Sequence, residues 1–285
     1  MPQILANTDG KSSIINLNFN TANTCILIIL SSQKQCQKFM RYFVELAYNG
    51  TPFSGWQCQP DQTTIQEILE DAFSLLLKNK IELVGCGRTD TGVHAKQYFA
   101  HFDFDDLLSE SYCDKLQYQL NSFLHREIVI HKIFQVKDDL HARFSALNRT
   151  YRYYVATAKN PFSFPFTYRV YEKLDMEVMN LAAEFLLGNQ DFTSFSKLHT
   201  NVNNNFCKVK VAHWEEQDGQ LVFTITSNRF LRNMVRAIVG TLLFVGKGKI
   251  SVADFQNIIY QKNRCDAKVS VPAHALFLEE VNYDF

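Results

Sequence analysis

Nowhere in the 285 residues do two cysteines stand as a CxxC pair. The seven present (Cys25, Cys36, Cys58, Cys86, Cys113, Cys207 and Cys265) are odd in number and widely scattered. That argues against a zinc site or a disulfide framework. It predicts free thiols and a reducing, cytoplasmic setting. Net charge is also lacking, because 29 Lys and Arg balance 29 Asp and Glu. A globally basic surface is thereby excluded, although local patches are not, since steering depends on where charges sit. No apolar run can cross a bilayer: the membrane-like stretch at residues 25–30 is far short of the roughly 20 residues required. It does not read as a signal peptide either, being preceded by an Asn/Ser/Thr-rich segment with a single Lys11 and followed by no small-residue cleavage site. Internal repeats are absent. Gly246-Lys247-Gly248-Lys249 lacks the spacing of a phosphate loop and follows a helical pattern where a strand is required.

What is present is an ordinary globular composition, 46% apolar and 20% charged, in a chain long enough for two modest lobes. Residues 1–39 are rich in Asn, Ser and Gln without periodicity, and are expected to be a loose extension or an over-extended start ahead of Met40. From there, alternation in RYFVELAY (41–48) predicts a strand, and further strands are expected at 81–84, 97–104, 127–136, 150–158, 208–215, 221–226 and 276–281. A helix starts at Thr63 or Thr64 with Gln66 or Glu67 as its capping partner; others are expected over 113–124, 176–187, 230–245 and 252–261. The order lacks a βαβα rhythm, so the expected fold is α+β with largely antiparallel sheets. It divides into lobes at 40–147 and 148–285, with the boundary near 145–149.

Three segments could carry chemistry. In Gly85-Cys86-Gly87-Arg88-Thr89-Asp90-Thr91-Gly92-Val93-His94-Ala95, glycines on both sides let a polar loop project Arg88 and Asp90. A nearby cation keeps such a carboxylate ionised, fit to act as nucleophile or base. The same residues also suit a turn in which Asp90 bonds local amides and Arg88 is a surface charge. Arg149-Thr150-Tyr151-Arg152-Tyr153-Tyr154 alternates guanidinium groups and rings, with Tyr151 and Tyr153 on one face and Arg152 and Tyr154 on the other; it could stack on a nucleotide or be core. On the helix expected from Phe230, Arg229, Arg232 and Arg236 share one side, as an anion-binding stripe or a solvated face. His94 has no partner of the kind a metal shell needs.

Together these segments resemble the TruA family of tRNA pseudouridine synthases, through YNGTPFSGWQCQP (48–60), GCGRTDTGVHA (85–95), HARFSA (141–146), RTYRYY (149–154), DFTSFS (191–196), FLRNMVRAIVG (230–240) and VPAHALFL (271–278). The resemblance spans about residues 40–285. It implies a pseudouridine synthase fold of two related lobes around an RNA-binding cleft, and isomerisation of uridine at tRNA positions 38, 39 and 40 of the anticodon stem-loop without cofactor or metal. By resemblance Asp90 is the essential carboxylate, Arg88 pairs with it, Arg236 completes the charge network and Tyr151 stacks on the target base. Leu276 and Leu278 line the uracil pocket, with Phe277 facing away. Arg149, Arg152, Arg232 and His94 join Tyr151 in binding substrate, and the enzyme is a homodimer. Thr91, Ala237 and Lys268-Val269 depart from the usual family residues. A tRNA-binding or folding protein of the same fold without activity is the alternative, and a small-molecule enzyme using Asp90 and His94 is a second.

Overall fold

The computed structural model describes residues 39–197 and 204–285; apart from Phe39, the extension at residues 1–39 lies outside the described residues. The strands are β1 (Met40–Tyr48), β2 (Val84–Gly85), β3 (His94–Phe104), β4 (Ile128–Val136), β5 (Asn148–Ala156), β6 (Tyr168–Arg169), β7 (Gly188–Asp191), β8 (Phe206–Gln217), β9 (Gln220–Ser227) and β10 (Leu276–Asn282). The helices are α1 (Ile65–Leu77), α2 (Glu110–Phe123), α3 (Met176–Ala183), α4 (Met234–Gly246) and α5 (Val252–Gln261).

All ten strands among the described residues join one sheet in the order β4-β1-β3-β10-β5-β9-β8-β7, with β2 on β3 and β6 on β5. Pairing is antiparallel except for β10 with β3 and β5 with β6, in keeping with the expected α+β class. The last strand is the seam: β10 runs parallel to β3 at Phe277 and Leu278 and antiparallel to β5 along its length. Nothing in a local pattern announces that position. Two apolar cores flank it. One gathers Tyr42, Leu46, Trp56, Leu69, Phe73, Phe102 and Leu120 with Leu278 and Val281; the other gathers Tyr153, Phe192, Phe195, Phe223, Ile238, Leu242 and Phe255 with Leu276. Each of these side chains is at most a few per cent exposed, and burying one contributes about 1.5–3 kcal/mol.

Local chemistry explains most element ends. Thr64 caps α1 by accepting from the Glu67 N–H, and Ser251 forms a full capping box with Asp254 on α5, each satisfying main-chain donors that a helix start leaves unpaired. Helix α2 begins earlier than its apolar pattern implies because Ser109 caps it at Tyr112. The strand expected over 81–84 shrinks to Val84–Gly85, the stretch that pairs with β3 at His101 and Ala100. The largest correction concerns α4, which starts at Met234 rather than Phe230. Asn233 adopts a left-handed φ of 65°, a conformation incompatible with continuing a right-handed helix, and its Nδ2 donates to Ser270 Oγ at 2.7 Å. Arg229 and Arg232 therefore precede the helix, and the expected helical arginine stripe does not form.

A buried histidine ties the chain at Ala142 to β3. His101 Nδ1 accepts the Ala142 N–H at 3.1 Å. Burial, reinforced by Arg41 and His141 against a weaker opposing pull from Asp103, pushes its pKa down to about 4. Unfolded, it titrates near 6.5, so between those values the unfolded chain binds more protons and stability rises with pH. The stabilisation is complete above about pH 6.5 and is lost as pH falls through about 4. Melting temperature is expected to drop across that window, and His101→Asn, whose Oδ1 can accept the same N–H without taking a proton, should flatten the drop. A slope unchanged by the substitution would place the acid sensitivity elsewhere.

Candidate active site

Residues 86–93 form a loop between β2 and β3, and its shape is dictated by what presses on it. A Cβ at Gly50 would lie 2.0 Å from Val93 O, and one at Gly55 (φ +90°) would lie 2.6 Å from Thr89 O. Only glycine lets the 50–56 segment approach so closely. That contact also carries hydrogen bonds: Trp56 N–H donates to Thr89 O at 3.3 Å, and the buried Tyr48 hydroxyl meets Thr89 Oγ1 at 2.9 Å. The Tyr98 hydroxyl donates to Gly87 O while its ring stacks on Trp56 at 4.1 Å. Val93 N–H closes a turn onto Asp90 O at 3.1 Å, with Gly92 at φ +77°. Asp90 thus stands on a loop braced from three sides.

The Asp90 carboxylate is 23% exposed and meets two guanidinium groups, Arg236 Nη1 at 3.2 Å from Oδ2 and Arg232 Nε at 3.8 Å from Oδ1. Arg236, in the first turn of α4, is aimed by its other nitrogen: Nε donates to Val271 O at 2.8 Å, and Val271 N–H returns a bond to Arg236 O. Room for this exchange exists because a Cβ at Gly240 would fall 2.0 Å from Val269 O. Tyr151, on β5, lies between the cores beside Leu278 and Ile225, with its ring edge-on to Phe230 at 5.0 Å. Burial, with Cys86 and Asp90 nearby, drives its phenol far above the usual value of about 10. It is an uncharged hydroxyl at any working pH. Leu276 and Leu278 share Tyr151's face of the sheet and are nearly buried.

Several expected site residues go elsewhere. Arg88 does not pair with Asp90; its Nε donates to Gln57 Oε1 at 2.9 Å, while Asp90's ion pairs go to Arg232 and Arg236. His94 is 1% exposed. Its Nδ1 accepts the Gly50 N–H at 3.0 Å and its Nε2 faces His274 O at 2.9 Å, so no ring nitrogen is left for a substrate. It stacks on Phe277 at 4.5 Å, on the face away from Leu276 and Leu278. Burial lowers its pKa and keeps it neutral. Arg149 is buried and spends its guanidinium on four carbonyls. Arg152 points with Tyr154 to the far face and lies 3.9 Å from Glu279. Among the described residues, no three His, Cys, Asp or Glu side chains gather as a metal would need.

The arrangement offers one carboxylate fixed between cations, an uncharged phenol and an apolar wall. Comparison with known proteins decides what family builds it. A family model described as tRNA pseudouridine synthase matches residues 182–284. The tRNA pseudouridine synthase A of Bacteroides fragilis is 51% identical over 85% of this chain and 96% of its own length; that of Porphyromonas gingivalis is 50% identical over 85% and 97%. The chain belongs to the tRNA pseudouridine synthase A family. The likeness reaches distant bacteria, since the Bacillus licheniformis synthase is 41% identical over 86% of this chain and all of its own length. Membership makes the chain an isomerase of tRNA uridine. No described helix is long and apolar enough to cross a membrane.

The buttress of this synthase was hidden from sequence reasoning. Gly50, Gly55, Tyr48, Gln57 and Val271 all lie within motifs that carry the family resemblance. Their glycines were the one local signal of a close approach, and Asn233 the one signal of a left-handed residue.

Proposed function

We propose that this synthase converts uridine to pseudouridine at positions 38, 39 and 40 of the anticodon stem-loop, with Asp90 as the carboxylate that acts on the sugar. What carries the reading is Asp90 itself, a carboxylate on a braced loop held between Arg236 and Arg232. A base inside a helix cannot reach it, so the target nucleotide must be flipped out of its stack. Isomerisation breaks the N1–C1′ bond, turns the uracil and joins C5 to C1′; C5 loses a proton and N1 gains one, so no cofactor is consumed. Tyr151, uncharged, stacks on the turned base and relays the late proton transfer, while Leu276 and Leu278 provide the apolar wall. Lobes at 40–147 and 148–285 border the cleft. The family resemblance supports a cytoplasmic homodimer, and sedimentation as a monomer at micromolar concentration would remove that part.

The test is tritium release from tRNA labelled at uridine C5, followed by mapping of the product. Release mapped to positions 38–40 is expected. Folded protein that binds tRNA and frees no tritium would put the non-catalytic binding protein first, and release mapped elsewhere would overturn the site assignment alone.

A further inference from the structure

Arg149 does more than fill the junction. Its Nη1 donates to Asn228 O at 2.8 Å and Ala146 O at 3.2 Å, and its Nη2 to Cys86 O at 2.8 Å and Arg143 O at 2.5 Å. One buried guanidinium thereby draws the main chain at 86, 143 and 228 to a single point. Beside each of those positions stands another arginine: Arg88 two residues beyond Cys86, Arg143 itself, and Arg229 next to Asn228. Among the described residues, none of these four has a carboxylate within 4.0 Å. Of the other described arginines, Arg41, Arg126, Arg152, Arg232 and Arg236 do, and Arg169 and Arg264 do not. The side-chain partners of Arg88 and Arg229 are the neutral amides of Gln57 and Asn204.

Like charges gathered without a counter-charge are unusual in a chain whose acids and bases balance. Arg143 registers the crowding: burial and then the repulsion of Arg88, Arg229 and Arg149 lower its pKa. Its guanidinium lies over the ring of Phe144, 5.6 Å from the centroid, and that ring is 76% exposed. His141 holds the main chain that carries the pair, its Nδ1 accepting the main-chain N–H groups of both Arg143 and Phe144. The result is a fixed cationic patch, one edge of which is an open aromatic face.

We propose that Arg143 and Arg229, with Arg88 beside them, form a binding subsite for a phosphodiester of the bound tRNA, and that Phe144 stacks on a base next to that phosphate. The proposal rests on the reading of Asp90 as the reacting carboxylate: Arg88 is two residues from it, so the phosphate belongs to the strand around the flipped uridine. Guanidinium forks match phosphate oxygens with charge-assisted hydrogen bonds, and an exposed ring stacks on any base without reading sequence. A shape-reading enzyme that serves neighbouring positions needs both properties. Arg149 is the positioning residue that assembles the patch.

The experiment is tRNA affinity across a salt series, measured on the full chain and on Arg143→Gln, Arg229→Gln, Arg143→Lys and Phe144→Leu, with Lys80→Gln, an exposed lysine paired with Glu82 beyond the end of α1, as a charge control. Each Gln variant is expected to raise Kd about tenfold, the worth of one charge-assisted bond, and to make the slope of log K against log salt shallower by about 0.7, one single-strand phosphate contact. Arg143→Lys should keep the parental slope. Phe144→Leu should weaken binding about tenfold, the worth of one stacked base, without changing the slope, because no charge is lost. Lys80→Gln should match the parent. Parental slopes in both Gln variants, alongside tritium release that depends on Asp90, would overturn the subsite and leave the catalytic reading standing. Shallower slopes with no Asp90-dependent release would support the subsite and remove that reading instead.

Discussion

Replacing Asp90 with Ala or Asn is expected to lower tritium release at saturating tRNA by about a thousandfold or more, the combined worth of a positioned base or nucleophile. Asn keeps the shape and loses the charge, so it asks whether the carboxylate itself reacts; Ala guards against slow deamidation of Asn restoring the native residue. Affinity should survive in both. The substitution removes a negative charge facing a polyanion and leaves Arg236 and Arg232, 3.2 and 3.8 Å from the carboxylate in the parent, free to attract phosphate, so Kd is expected to stay the same or fall. That split separates a chemical role from a structural one. If Asp90 merely held the loop together, release and affinity would decline in parallel and the melting temperature would drop with them. Release within about tenfold of the parent would take the reaction away from Asp90 and leave no other carboxylate among the residues assembled around Tyr151 and Arg236.

Local residue types announce Asp90, whereas Arg236 enters only through the family resemblance, and the reason is physical. A loop bounded by glycines is a local feature, so a polar, projecting GRTD turn could be read from residue types alone. The cation that meets the carboxylate is 146 positions away, and no local spacing reports such a contact. Arg88 is close in sequence, yet its guanidinium goes to Gln57 and leaves the carboxylate to distant residues. Alternation in 149–154 placed Tyr151 and Arg152 on opposite faces correctly, since a strand has a fixed period of two. It could not say which face looks toward Asp90, nor that Arg149 would be buried among carbonyls. Helix α5 was legible to the residue because its capping box and apolar stripe agree. Helix α4 was not, because Phe230, Leu231 and Met234 continue the apolar pattern straight through Asn233, whose left-handed backbone depends on a partner, Ser270, from another part of the chain. The place of β10 between β3 and β5 is likewise a matter of partners, and local alternation reveals only that a strand exists.

Arg236 carries the second large effect. Its guanidinium divides between Asp90 and the Val271 carbonyl, so Arg236→Met removes both the cation that orients the carboxylate and a main-chain tie. Turnover is expected to fall about a hundredfold or more, the scale on which losing one preorganised charged donor acts, with a smaller change in KM. Arg232 cannot substitute: it is farther away and its side chain is 57% exposed, where water screens it. Arg236→Lys should fall between, since an ammonium is a point charge without the fork that reaches two acceptors at once. The structural share can be separated by measuring each substitution in the Asp90→Ala background. There the loss of the Val271 tie, about 1–3 kcal/mol for a carbonyl left unpaired, should persist in the melting temperature, while turnover should fall no further. Such non-additivity is the signature of two groups acting as one unit. If Arg236→Met turned over within a few-fold of the parent, the guanidinium would be a tie to Val271 alone, and the carboxylate's orientation would have to come from the loop that Gly50, Gly55 and Tyr48 brace.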